Sequence, residues 1–203
     1  MHRAIALVLT VFCSLAAYAA DEITCTGVWS PDTSEKKLIA QFGAANVTRG
    51  TIHVAEGDTT PGTILFPNDA KRRVEIVWRD TKKRQTPEWL RIPADSEWKT
   101  FSGIHVGSKL EEIEKLNGAP FTLNGFGWDY GGIVTDWRGG KLATAGGKCH
   151  MQLSFDIKTP ENPPKIMQRA IDGVSGDREL SSSDTKMRMV RPFVAMIVIS
   201  YPE

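Results

Sequence analysis

Two stretches of this chain read in the same order, and that recurrence limits its fold more than any other feature. The first begins near Asp32. Residues 34–42 predict a short helix with Leu38, Ile39 and Phe42 as its apolar stripe, stopped by Gly43. Strand-like runs follow at 46–54, 62–66 and 73–78, separated by Gly57-Asp58, Pro61-Gly62 and Pro67-Asn68-Asp69. The second begins near Gly107. Ser108-Lys-Leu-Glu111 fits a capping box, in which the serine accepts from first-turn amides and the glutamate reaches back. Leu110, Ile113 and Leu116 form the stripe expected to be buried, and Gly118 ends the helix. Strand-like runs follow again at 121–126, 132–137 and 150–157. The last sets Met151, Leu153, Phe155 and Ile157 against Gln152, Ser154 and Asp156. An offset of 75 residues superposes Leu38 on Ile113 and Gly43-Ala44 on Gly118-Ala119. The expected fold class is α+β: two tandem helix-plus-three-strand units forming antiparallel sheet, with short helices packed on one face.

The remaining segments follow local signals. Residues 80–99 are polar and broken by proline, with a short strand expected at 89–92. Residues 158–183 are rich in Pro, Gly, Ser and charge, which predicts a long surface loop with one helical turn near 166–171. Ser183-Asp184 is placed to cap a short helix running to Met189 before Pro192. Residues 194–201 are continuously apolar, which predicts a strand lying centrally rather than at an edge. The organisation is therefore a leader at 1–20, a first unit with its connector at 21–99, and a second unit with a final loop and strand at 100–203.

The leader reads as a secretory signal. Arg3 supplies a positive start, residues 4–15 are almost wholly apolar, and Ala17 and Ala19 are spaced as a cleavage pair. Its removal takes one arginine and leaves a formal net charge of zero. A neutral chain argues against a dedicated nucleic-acid binder. No later apolar run is long enough to span a membrane. Cys13 leaves with the leader, so Cys25 and Cys149 remain, and an even pair in an exported chain reads as a disulfide. The expected location is periplasmic or secreted.

The run Ile104-His-Val-Gly107-Ser-Lys-Leu-Glu-Glu-Ile113-Glu-Lys-Leu116-Asn-Gly118-Ala-Pro120 resembles the SmpA/OmlA (BamE-like) envelope proteins. Those show an Ile-x-x-Gly start, a short helix, then Gly-x-Pro before a β-meander. In duplicated form the arrangement looks like the beta-lactamase inhibitory protein fold. The first unit matches in order only, with Asp32 where Gly107 stands and Ala45 where Pro120 stands. The chain also looks like a family of exported bacterial proteins of uncharacterised activity. The resemblance implies an antiparallel sheet with helices on one face and a protein-binding role for the opposite, open face.

None of the hydrolase, P-loop or Rossmann signatures occurs. His53, His105 and His150 are far apart in sequence. His150 and its neighbour Cys149 would point to opposite faces of a strand, so no metal site and no cofactor is expected. Glu111, Glu112 and Glu114 read as a capping residue and a solvated helix face. Lys71-Arg-Arg73 and Lys82-Lys-Arg84 bracket one strand; they form either solvated turns or one patch for anionic lipid, peptidoglycan or acidic protein. The most distinctive segment is the hairpin at 125–132. Its glycines permit sharp turns, and Trp128, Asp129 and Tyr130, with Trp137 further on, are candidate binding residues. The other reading of these aromatics is that they cover the core. The expected function is a non-enzymatic binding or inhibitor-like protein of the cell envelope with an envelope protein as partner. The alternative is an envelope hydrolase or a carbohydrate-binding protein using the Trp-rich hairpin.

Overall fold

The helix and strand starts follow from single side chains. A computed structural model describes residues 22–202; the leader expected at 1–20 lies outside the described residues. The elements in order are β1 (Glu22–Ile23), α1 (Glu35–Phe42), β2 (Val47–His53), β3 (Thr59–Leu65), β4 (Val74–Trp78), β5 (Pro87–Ile92) and β6 (Lys99–Thr100). They continue with α2 (Leu110–Asn117), β7 (Thr122–Asn124), β8 (Val134–Asp136), β9 (His150–Asp156), α3 (Lys165–Val174), β10 (Glu179–Ser181), α4 (Thr185–Val190) and β11 (Phe193–Ser200). Ser34 caps α1 by accepting from the Lys37 amide, and Asp184 caps α4 by accepting from the Lys186 and Met187 amides. Gly118 closes α2 in the left-handed conformation at φ 77°, its N–H bonded to the Glu114 carbonyl.

The fold class is α+β with antiparallel sheet. Six strands form the main sheet in the order β2-β3-β4-β5-β11-β9, every neighbour antiparallel. A second sheet has the order β10-β7-β8, and β1 pairs β6 in a two-residue parallel ladder. In each half a helix is followed by three strands, but the pairing differs. β2, β3 and β4 run as one meander. β7 and β8 are only three residues long, and β9 leaves them to pair with β11, touching the earlier strand through an Ile133–Ser154 bridge. The expected strand at 194–201 does lie centrally, between β5 and β9.

One face of the main sheet carries the helices. Leu65, Ile76, Trp78, Leu90, Ile197, Ile199, Leu153 and Phe155 share one cluster with Leu38 of α1, Ile113 of α2, Val174 of α3 and Met187 of α4. The other face holds Ile52, Ile64 and Val77, which are buried apart from that cluster. Glycines explain how these isoleucines are buried without a helix above them. Ile52 lies where a side chain on Gly62 would stand, and Ile64 where one on Gly50 would. Missing side chains on two paired residues, Gly50 and Gly62, let neighbouring isoleucines lie flat.

Several expectations are corrected. The capping box is displaced by one residue: Glu112, not Glu111, accepts from the Lys109 amide at 2.9 Å, while the Ser108 hydroxyl accepts from the His105 amide. The cause is pairing of the preceding segment with β11, through Gly107 N–H to the Val194 carbonyl and Val194 N–H to the Ser108 carbonyl. That keeps Lys109 extended, so α2 starts later. Leu116 is 43% exposed, and Asn117 is buried in its place. Asn117 donates to the carbonyls of Ala119 and Trp137 and accepts from the Leu142 amide, which satisfies its amide inside the fold. The turn expected near 166–171 is the ten-residue α3, because Met167, Ala170, Ile171 and Val174 make a full helical stripe.

A buried carboxylate joins α1 to the sheet. Glu35 accepts from Arg49 at 2.7 and 2.9 Å and from the Thr63 hydroxyl at 2.9 Å, with Arg84 3.4 Å away. Thr63 in turn accepts from the Trp78 indole. Burial raises the Glu35 carboxyl, but hydrogen bonds from Arg49 and Thr63 and the two cations outweigh it and hold it below the usual range. On the other face Glu75 is clamped by Arg91 and Arg73, and burial there is likewise outweighed.

Cys25 and Cys149 stand at disulfide distance, with Cα atoms 6.2 Å apart across 124 residues. Both are buried. The oxidised pair would close a loop worth about 5 kcal/mol on the chain-entropy model. Replacing both by Ala is expected to cost about 2–5 kcal/mol, read as a lowered urea midpoint with a larger m value, because the unlinked unfolded chain exposes more surface. For Glu35, the lowered folded pKa means its contribution is complete above the ordinary carboxylate range and drains as pH falls through the lowered value. Glu35→Gln should therefore lose about 1–3 kcal/mol at neutral pH. It should also flatten the acid side of the stability profile, leaving the slope that Glu75, Asp32 and Asp80 supply, as measured by chemical denaturation at stepped pH.

Candidate functional site

The hairpin at 125–132 is pinned on both sides by backbone. Gly125 donates to the Arg178 carbonyl and Phe126 to the Val174 carbonyl, while Gly176 donates back to Phe126. Phe155 of β9 donates to the Gly132 carbonyl. Gly132 has φ 71°, and a side chain there would run into the Phe155 carbonyl. Glycine is what allows the hairpin to lie this close to β9. Asn124 adds a side-chain bond to the Tyr130 carbonyl at 3.1 Å. The tip is therefore held on the C-terminal end of α3 and on β9.

The structure brings three of the four candidate residues together. Trp128 and Tyr130 pack edge to face with ring centroids 5.5 Å apart. The Trp128 indole donates to the Gly125 carbonyl at 2.8 Å, which fixes the ring half-buried. Tyr130 is 40% exposed and Asp129 is exposed between them. Trp137 is elsewhere: its ring packs on Phe121 at 5.3 Å against the core. A hollow of about 380 Å³ lies beside the hairpin, lined among others by Phe126, Trp128, Asp129, Ile133, Asp156 and Met196. Asp129 and Asp156 make its polar edge acidic.

Sequence reasoning missed a partner of this hairpin. The Tyr130 hydroxyl donates to Glu56 at 3.0 Å, in the turn between β2 and β3. β2 and β9 close opposite ends of the six-strand order, so on a flat sheet they would stand about 24 Å apart at about 4.8 Å per strand. The hairpin itself joins β7 to β8, so the Tyr130–Glu56 bond ties the second sheet to the β2–β3 turn of the main sheet. Nothing local in the sequence pairs residues 74 positions apart. The bond to Glu56, its charge, burial and the Asp129 charge all raise the Tyr130 phenol.

The other chemical candidates disperse. Lys71 pairs with Glu97, Arg72 covers the Phe66 ring, Arg73 binds Glu75, Lys83 lies by Asp80 and Arg84 by Glu35. The two basic runs are thus divided among separate partners. Glu114 pairs with Arg188 at 2.7 Å. Among the described residues no group of three or more His, Cys, Asp or Glu side chains could hold a metal ion, and no helix is long and apolar enough to cross a membrane.

No protein-family model, curated protein or solved structure matches this chain.

Glu56→Gln is expected to lower the Tyr130 phenol toward the usual range. Ultraviolet difference titration reads this directly, since the other described tyrosine, Tyr201, is raised further by burial.

Proposed function

We propose that this is a non-enzymatic binding or inhibitor-like protein of the cell envelope, periplasmic or secreted, whose recognition element is the hairpin at 125–132. The observation that carries the reading is a backbone-pinned tip presenting Trp128, Asp129 and Tyr130 together at the surface. Stiff aromatics lose little conformational entropy on docking, and a fixed tip loses less still. The acidic edge from Asp129, Asp156 and Glu56 favours an envelope protein offering cationic or amide donors. The signal-like leader and the cysteine pair at disulfide distance support the location. The resemblance of residues 104–120 to SmpA/OmlA (BamE-like) proteins supports a role among envelope proteins, and the Gly107 start and Gly118 stop of that motif do bracket α2.

A second reading, carbohydrate binding, is favoured by the hollow itself, where the Trp128 ring borders two carboxylates that can accept sugar hydroxyls. Trp137 has no part in either reading.

Tagged protein and the Trp128→Ala/Asp129→Ala variant are compared by capture from an envelope extract with mass spectrometry. Loss of the captured partner in the variant, with circular dichroism unchanged, is the expected result. Equal capture refutes the hairpin as the recognition element. A titration with peptidoglycan oligosaccharides, followed by indole fluorescence, decides the second reading.

A further inference from the structure

A second surface is built on opposite chemistry. A groove of about 590 Å³ lies between α3, α4, the residues after β9 and the start of β11. Its apolar floor is Ile157, Met167, Ile171, Met189 and Phe193, all half-buried. Two of these are methionines, whose unbranched thioethers adapt to irregular chains. The volume lies within the range of about 300–1,000 Å³ typical of small-molecule sites.

Four cations line the same groove: Lys109, Lys158, Arg188 and Arg191. No Asp or Glu is among its lining residues. Arg188 is paired with Glu114 at 2.7 Å. Among the described residues, no carboxylate stands at salt-bridge distance from Lys109, Lys158 or Arg191. The two lysines approach the Phe193 ring, Lys158 at 5.6 Å and Lys109 at 6.0 Å. Arg191 ends α4 at φ 50°, a left-handed position that a non-glycine residue occupies at a cost. Its side chain lines the groove.

An apolar floor with unneutralised positive charge is complementary to a ligand with a hydrocarbon chain and an anionic head. We propose that this groove binds a small anionic amphiphile, a single-chain fatty carboxylate, with the chain on the methionines and the carboxylate held by Lys158, Arg191 and Lys109. The site is separate from the hairpin at 125–132 and does not depend on it for its chemistry.

The probe is a dansyl-labelled undecanoic acid, titrated into the purified protein with fluorescence detection. The expected result is a saturable rise in emission, displaced by dodecanoate at least about ten-fold more effectively than by the uncharged dodecanol. Lys158→Gln with Arg191→Gly should weaken the probe about ten-fold or more; both residues are exposed, and glycine relieves the left-handed strain, so the fold is retained. Trp128→Ala/Asp129→Ala should leave the affinity unchanged, which separates this site from the recognition hairpin. No saturable rise, equal displacement by dodecanol, or unchanged affinity in the Lys158/Arg191 variant overturns the proposal. Displacement by a hexaglutamate peptide as effective as by dodecanoate also overturns it, in favour of an acidic protein segment.

Discussion

The insertion of β11 between β5 and β9 is the constraint on which everything else rests. The strand hydrogen-bonds to both neighbours, and Val194, Ile197 and Ile199 on its inner side are fully buried. The backbone that precedes it holds the entry to α2, through Leu110 N–H to the Pro192 carbonyl. Just beyond it Tyr201 is buried, its hydroxyl donating to the Trp29 carbonyl at 2.9 Å. One strand thus joins the meander of the first half, the last strand of the second, and a helix start. Without it, β5 and β9 are two unrelated edges rather than neighbours at one remove.

Much of this was legible in the residues. Alternation marked β9, unbroken apolarity marked β11 as central, and glycine stops ended both α1 and α2. What stayed hidden was whatever depends on distant pairing. Ser108-Lys-Leu-Glu111 carries a correct local signal, yet the ladder to β11 shifts the helix start and hands the capping role to Glu112. Leu116 fits the stripe of an isolated helix, but the turn after α2 needs a buried amide and takes Asn117. α3 was obscured by the prolines and charges around it, which mask a four-residue apolar stripe. At the site, composition singled out the aromatic hairpin, while the tether from Tyr130 to Glu56 and the displacement of Trp137 to the core follow only from the fold.

The near-zero net charge hides a segregation. The hairpin edge is acidic, with Asp129, Asp156 and Glu56, whereas the groove beside α4 is basic. α3 connects them: its C-terminal carbonyl at Val174 anchors the hairpin, and its first two turns supply Met167 and Ile171 to the groove. A chain that looks neutral in bulk presents two surfaces suited to ligands of opposite sign, which composition alone averages away.

The cysteine pair has a consequence for how this molecule meets proteases. Once oxidised, the link between residues 25 and 149 encloses α1, α2 and the seven strands β2 to β8 within one covalent ring. A single nick in any exposed turn of that ring, such as the one carrying Glu56, severs the backbone but yields no separate fragments. The cut protein still migrates as one species until a reductant is added, and its two ends remain docked on a shared core.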